Sequence, residues 1–381
     1  MAKNKQKVRV EFRKNRLTKK RDGDLTRRFE EHGFENENEV AEERIGGKSE
    51  QSRKRTVIGQ IVEKSDEHAF EIVPNVDTEQ LLAGQVLKVH GVDSIVQTAD
   101  RQRFHCVTRR ILKTLSTDQR QPVVAGDKVL FRKAAQADSR SSAEGMIERI
   151  EPRHGTISRT SRNRKHVLVT NVDQILIVVS AAEPELKPNL IDRMIVTAEQ
   201  SGVRPVICIN KVDLVAPADL QPLVGVYSQI GYPVLQLSVK TGQGIDRLRQ
   251  YLRNRENVLT GQSGVGKSSL LNAVDTELDL RTGEIGNAQK GKHTTTNAEL
   301  LELSFGGYVV DTPGLRQFML WDIIPEEVFG LFRDLRPYEN RCHFPDCTHS
   351  HEDECAVKYA VGEGRLDLRR YESYLAIRFG Q

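Results

Sequence analysis

The chain has 381 residues, a formal net charge of +4, a hydrophobic fraction of 38% and a mean hydropathy of -0.50. This length suggests two or three domains of roughly 100–200 residues each. No apolar run approaches the ~20 residues that cross a bilayer, which excludes a membrane-spanning helix. The start, MAKNKQKVRV, has no apolar stretch behind its charges, so no secretory signal is expected and a cytoplasmic location is. Five cysteines, three of them crowded into 342–355, do not make a disulfide framework and point instead to a metal.

In chain order, residues 1–28 hold twelve Lys/Arg against three Asp/Glu, and residues 30–50 hold eight acids against two bases. Such a segment buries too little apolar surface to order itself. It reads as a disordered or partly helical extension over 1–55: a solubilising tail, or an arm that docks on nucleic acid. Short strands are expected over 56–62 and 69–73. From Gly84 the texture becomes five short β-like runs, over 85–89, 94–98, 103–107, 128–131 and 146–150, punctuated by Gly91, Asp93, Asp100, Gly126-Asp127 and Gly145. Five strands in about 70 residues suggest a small barrel, either of the oligonucleotide-binding (OB) kind or SH3-like. Arg101, Arg103, Arg109, Arg110 and Lys113 would suit a phosphate backbone, or simply a solvated face.

Beyond Val167, continuous apolar runs at 175–179 and 206–209 alternate with helical patterns over 190–200, 219–229 and 244–253, and with further strands at 234–237 and near Val258. This alternation predicts a doubly wound parallel α/β sheet continuing to about residue 320.

Two motifs give that sheet a chemistry. Gly261-Gln262-Ser263-Gly264-Val265-Gly266-Lys267-Ser268 fits G-x-x-x-x-G-K-[ST] between an apolar strand and a helix that begins near Ser269. Its glycines allow the backbone N–H groups to wrap phosphate oxygens. Lys267 reaches the β- and γ-phosphates, and the Ser268 hydroxyl ligates Mg²⁺. Asn210-Lys211-Val212-Asp213 follows the strand that ends at Ile209. The Asp213 carboxylate can accept from both the ring N–H and the amino group of guanine, a donor pair adenine lacks. Asn210 would brace the pocket, Lys211 would lie along the base, and Ser238-Val239-Lys240 would complete it. The nucleotide is therefore GTP or GDP with Mg²⁺.

Asp311-Thr312-Pro313-Gly314 follows a strand over 308–310, so Asp311 would hold Mg²⁺ and Gly314 would offer its N–H to the γ-phosphate. Within Lys292-His293-Thr294-Thr295-Thr296, Thr295 would complete the Mg²⁺ ligands. Where many GTPases carry a water-orienting Gln after this Gly, the chain has Leu315, which leaves His293 or Gln317 to position the water.

Near the C-terminus, Cys342, Cys347, His349 and Cys355 lie within 14 residues as C-x₄-C-x-H-x₅-C. They form a closed Cys₃His set suited to one structural Zn²⁺, with His343 and His351 competing for the fourth place. Helices over 326–335 and 356–362 would flank the knot.

The base motif precedes the phosphate loop, which is a circular permutation of the usual GTPase order. With a barrel before it and a Cys₃His knot after it, the chain from about Gly84 onward resembles the ribosome small-subunit-dependent GTPase A family of circularly permuted GTPases. The resemblance rests on 261–268, His293-Thr294-Thr295-Thr296, Asp311-Thr312-Pro313-Gly314 and the Cys₃His set. It implies a late 30S assembly factor whose GTP hydrolysis the subunit stimulates, binding to 16S rRNA, an OB barrel, a zinc-bearing C-terminal domain, and His293 as the family's candidate catalytic histidine.

The expected architecture is thus multidomain. It comprises a basic/acidic extension (1–55), an OB-like β-barrel domain (56–155, core from about 84), a circularly permuted α/β P-loop GTPase domain (165–322) and a mostly helical zinc-binding domain (323–381). A monomer without membrane contact is expected. Two competing functions are a GTP-dependent RNA-binding switch with incidental hydrolysis, and a metabolic P-loop phosphotransferase or ATPase.

Overall fold

The computed structural model describes residues 6–11, 54–63, 70–74, 81–91, 93–109, 112, 122–134, 144–161, 164–280, 298–311 and 323–380; of residues 6–11, 54–63, 70–74, 159–161, 164–165 and 311, only the backbone is described.

Three antiparallel strands, β1 (Gln6–Glu11), β2 (Lys54–Glu63) and β3 (Phe70–Pro74), form a sheet of their own. Residues 6–11 were expected to belong to a disordered or partly helical extension. The alternation Lys7-Val8-Arg9-Val10 has the period of a strand, and β2 supplies the partner that composition cannot reveal.

The barrel consists of β4 (Leu82–His90), β5 (Asp93–Thr98), β6 (Arg103–Thr108), β7 (Lys128–Lys133) and β8 (Gly145–Ile150). Its order is β4-β5-β6-β8-β7, closed by β7 pairing with β4, and all its ladders are antiparallel except β6–β8. A closed five-strand Greek key with one parallel pair is the OB arrangement, which decides between the two barrel types that strand count left open. Val86, Val96, Phe104, Phe131 and Ile147 fill it.

A hairpin, β9 (Ile157–Ser161) and β10 (Arg164–Val169), leads into the central sheet. That sheet runs β13 (Val234–Gln236), β12 (Arg204–Asn210), β11 (Gln174–Ser180), β14 (Glu256–Thr260), β16 (Tyr308–Asp311), β15 (Glu299–Glu302). All neighbours are parallel except β15–β16. Every residue of β11 is buried. Its odd positions Ile175, Ile177 and Val179 share a core with helices α1 (Pro188–Gln200) and α2 (Pro217–Gln229). Its even positions Leu176 and Val178 share the opposite core with α3 (Ile245–Leu252) and α4 (Lys267–Val274). A strand covered on both faces is apolar along its middle, which is why 175–179 reads as an unbroken run, while Gln174 and Ser180 at its ends are buried with hydrogen-bond partners.

The C-terminal part packs α5 (Val328–Leu331), α6 (Ala356–Gly362) and α7 (Leu368–Phe379) around Phe332, Leu335 and Tyr374, and Val196 of α1 joins that core. The helix expected over 326–335 is a single turn. Extended backbone at Phe332 (φ -97°, ψ 104°) ends it and lets this fully buried ring enter the core from beyond the helix. Buried Arg370 of α7 donates to Asp192 of α1 (2.6 Å) and twice to Asp334 (2.7 and 3.0 Å), while Asp192 also accepts from Tyr227 (2.8 Å). This network pins the C-terminal part to α1.

The barrel and central sheet are continuous through a bridge between β4 and β15. Near this seam, Gln85 of β4 donates to buried Glu256 of β14 at 2.6 Å. Burial pushes the Glu256 carboxyl up to about 8, and Asp173 adds to the rise. Between the ordinary carboxylate range and about pH 8 the folded chain therefore holds a proton that the unfolded chain has released, so stability falls as pH rises through that window. Glu256→Gln keeps the neutral form at all pH values. It is expected to raise Tm by about 2 °C or more at pH 8 and to change it little at pH 5, as thermal melts at the two pH values would show.

Candidate nucleotide site and Cys₃His centre

The ends of β12, β13, β14 and β16 lie along one edge of the sheet, the carboxyl edge where ligands bind in open α/β folds. Asn210 closes β12, Asp213 lies in the short turn Val212–Leu214, Ser238 and Lys240 follow β13, and 261–268 follows β14. Ser268 and Ser269 lie in the first turn of α4.

Two glycines of the phosphate loop are required by close approach. Gly261 has φ +146°, and a Cβ there would lie 2.1 Å from the Val178 carbonyl oxygen. Gly266 has φ +91°, and its Cβ would meet Asn210 Nδ2 at 2.5 Å. Val265 is buried among α3 and α4 side chains and anchors the loop, while Gln262 is half-buried and Ser263 and Gly264 are exposed. Lys267 Nζ donates to the carbonyls of Gly261 (3.0 Å) and Gln262 (2.7 Å), which places the ammonium within the loop. Ser268 is buried.

The two motifs touch. Asn210 Nδ2 donates to the Val265 carbonyl at 2.8 Å, across 55 residues of sequence. Ser238 Oγ donates to Asp213 Oδ1 at 2.6 Å and accepts from the Thr241 N–H at 3.2 Å. The Ser238 hydrogen bond holds the exposed Asp213 carboxyl below the usual carboxylate range, and nearby Lys240 adds to the effect. Asp213 is thus an ionised, oriented double acceptor at the sheet edge. Lys211, at φ +61°, sends its ammonium to the Glu183 carbonyl. Glu183 carries no motif, and only the β11–α1 loop geometry brings it to the site.

Asp311 ends β16, and Val310 of that strand is in register with Val258 of β14. Asp311 and the Ser268 loop therefore leave adjacent strands on the same edge, a placement suited to shared Mg²⁺ ligation. His293, Thr295, Gly314, Leu315 and Gln317 lie outside the described residues.

In the C-terminal part, the ligand atoms of Cys342, Cys347, His349 and Cys355 all lie within 4.8 Å of one another. Cys342 Sγ is 3.4 Å from His349 Nδ1 and 3.9 Å from Cys355 Sγ, and Cys355 Sγ is 3.5 Å from His349 Nδ1. Bonds of about 2.3 Å to sulfur and 2.0 Å to nitrogen give tetrahedral edges of about 3.5–3.8 Å, so the four residues fit one tetrahedral ion. His343 and His351 do not compete: both are exposed, near Glu354 and Glu352 respectively. His349 is buried, stacked on Phe329, and held through its carbonyl by Tyr371 Oη at 2.7 Å. Burial lowers its pKa, which keeps the imidazole neutral as a ligand must be. The Glu352 carboxylate accepts from Thr348 N–H (2.6 Å) and Ser350 N–H (2.9 Å), tying the loop between the ligands.

The family model described as RsgA GTPase matches residues 150–321. A relative from Shewanella oneidensis, named small ribosomal subunit biogenesis GTPase RsgA, is 36% identical over 297 residues, covering 77% of this chain and 81% of that one. The crystal structure of YjeQ from Thermotoga maritima is similar, with 34% identity, TM-score 0.65 and coverage of 79% of this chain and 98% of that one. The structure of YloQ, described as a circularly permuted GTPase, is similar at 28% identity and TM-score 0.61, covering 80% of this chain and 96% of that one.

Proposed function

Because this chain belongs to the RsgA GTPase family, we propose that its GTP hydrolysis is stimulated by the 30S ribosomal subunit and serves a late step in that subunit's maturation. The chain is a GTP hydrolase with a circularly permuted GTPase fold. The observation that carries the site assignment is the pair of contacts Asn210–Val265 and Ser238–Asp213, which bind the base motif to the phosphate loop and orient the guanine acceptor.

In this reading, Asp213 accepts from guanine, with Lys211, Ser238 and Lys240 around the base. Residues 261–269 hold the phosphates, and Lys267 neutralises charge that builds on the β–γ bridge. Ser268, Thr295 and Asp311 would hold Mg²⁺, which supplies further charge neutralisation at the phosphates. Gly314 donates its N–H to the γ-phosphate, and His293 positions the attacking water. The Cys₃His ion is Zn²⁺ and structural, since a closed set leaves no place for water. The barrel and the basic extension bind 16S rRNA, the protein works in the cytoplasm as a monomer, and its domains divide near residues 155–165 and 322.

Titrating 30S subunits into the protein under multiple-turnover conditions is expected to raise GTP turnover about tenfold or more, and His293→Ala should remove most of that rise with GTP affinity nearly unchanged. A flat wild-type titration would overturn the ribosomal reading. A fully stimulated His293→Ala protein would remove the histidine from the mechanism.

A further inference from the structure

The seam between barrel and GTPase sheet is built around an irregularity in β4. The β4–β5 register shifts between Val86 and Lys88, a bulge at Leu87. Val86 and Val89 remain in the barrel core, while Leu87 leaves it for the GTPase core shared with Ala298, Leu300 and Val310. A bulge redirects the side chains beside it. Here Lys88 meets β15: its Nζ donates to Glu299 Oε2 at 2.5 Å, and the two residues are also backbone partners.

Across the next ladder Glu299 is in register with Asp311. Lys88, Glu299 and Asp311 therefore form one row across three adjacent strands, joining the barrel to the first residue of the DxxG segment. The other end of β15 is held by the barrel as well. Gln97 donates to Glu302 at 2.9 Å, and Arg101 pairs with Glu302 at 3.0 Å. β15 has only four residues, all paired with β16 on its GTPase side, so its outer edge is held by these barrel contacts.

We propose that Lys88 is a positioning residue for GTP hydrolysis: through Glu299 it sets the place of Asp311 at the end of β16, and so sets how well the site takes up Mg²⁺. The inference rests on Asp311 as a Mg²⁺-holding residue. It makes the barrel part of the hydrolytic machinery, because whatever draws Lys88 or Arg101 away from β15, such as a phosphate backbone on the barrel, moves the same row. The bonded partners of these cations are carboxylates, the groups a phosphate would displace.

The test uses the full chain, with Lys88→Met, Lys88→Arg and Glu299→Gln. Mg²⁺ is titrated in single-turnover GTP hydrolysis, labelled GDP binding is measured in chelator without Mg²⁺, and hydrogen exchange is followed over 299–311. Lys88→Met and Glu299→Gln are expected to raise the half-saturating Mg²⁺ concentration and slow hydrolysis, each by about fivefold. Protection over 299–311 should fall in both, and Mg²⁺-free GDP affinity should stay within about twofold. Lys88→Arg should recover most of the loss, because it keeps a cation opposite Glu299.

Unchanged Mg²⁺ dependence and unchanged protection in folded Lys88→Met and Glu299→Gln proteins would overturn the proposal. So would a loss that Lys88→Arg does not restore. Asp311→Asn, run alongside, separates the two levels. If it leaves Mg²⁺ dependence unmoved, the reading of Asp311 fails and the proposal with it. If it moves that dependence while the Lys88 and Glu299 variants do not, only the proposal fails.

Discussion

Asp213→Asn is expected to weaken GTP binding by about a hundredfold or more and to shift preference to xanthosine triphosphate. Guanine presents two donors, its ring N–H and its amino group, to a carboxylate that accepts both. An amide keeps one acceptor and offers an N–H where guanine also donates, which leaves a donor facing a donor. Xanthine carries a carbonyl in place of the amino group, so the amide's two functions match it. The Ser238 hydroxyl, which donates to Asp213 Oδ1 at 2.6 Å, would favour the amide orientation that keeps an oxygen at that position. Competition of the two triphosphates against a labelled nucleotide checks this. Unaltered preference would mean that Asp213 does not read the base.

Cys347→Ser should release the metal and loosen the C-terminal part while sparing guanine-nucleotide binding. Burial pushes the Cys347 thiol up to about 12 and raises Cys355 as well, so a cation is what makes these thiols ligands at neutral pH. Structural zinc sites contribute about 10 kcal/mol or more of apparent binding free energy. Metal content after dialysis against chelator is expected to fall from one zinc per chain to near none. Limited proteolysis should then open the segment around 342–355, where Tyr371 and Tyr374 otherwise hold the His349 and Thr348 carbonyls at 2.7 and 3.0 Å. A full zinc complement in this variant would exclude Cys347 as an essential ligand.

The barrel strands were legible because their inward positions alternate, and β11 because both its faces are covered. β15 was not. Glu299-Leu300-Leu301-Glu302 is too short for a period to show, and its strand character comes from β16 on one side and β4 on the other. The helix expected over 326–335 failed for a related reason: helical spacing of apolar residues cannot report a chain that bends to bury Phe332. Spacing points to His349 as the fourth member of the cysteine cluster and leaves His343 and His351 as rivals; what removes the rivals is their exposure, a property of the packed core.

The sequence by itself determined the guanine-nucleotide class, the permuted order of the motifs and a set of residue types able to ligate a metal. Each of these is carried by a few adjacent residues whose chemical identity suffices: a carboxylate for two guanine donors, glycines for a tight phosphate loop, thiolates for a soft cation. Only the tertiary structure decided how the parts act on one another. Asn210 braces a loop 55 residues away, Arg370 bridges to Asp192 across 178, and Lys88 reaches Glu299 across 211. Such contacts leave no local pattern, because strand order and a single bulge in β4 bring the partners together. The bulge carries most of this: it moves Leu87 from one core to another and turns Lys88 toward the strand that leads to Asp311.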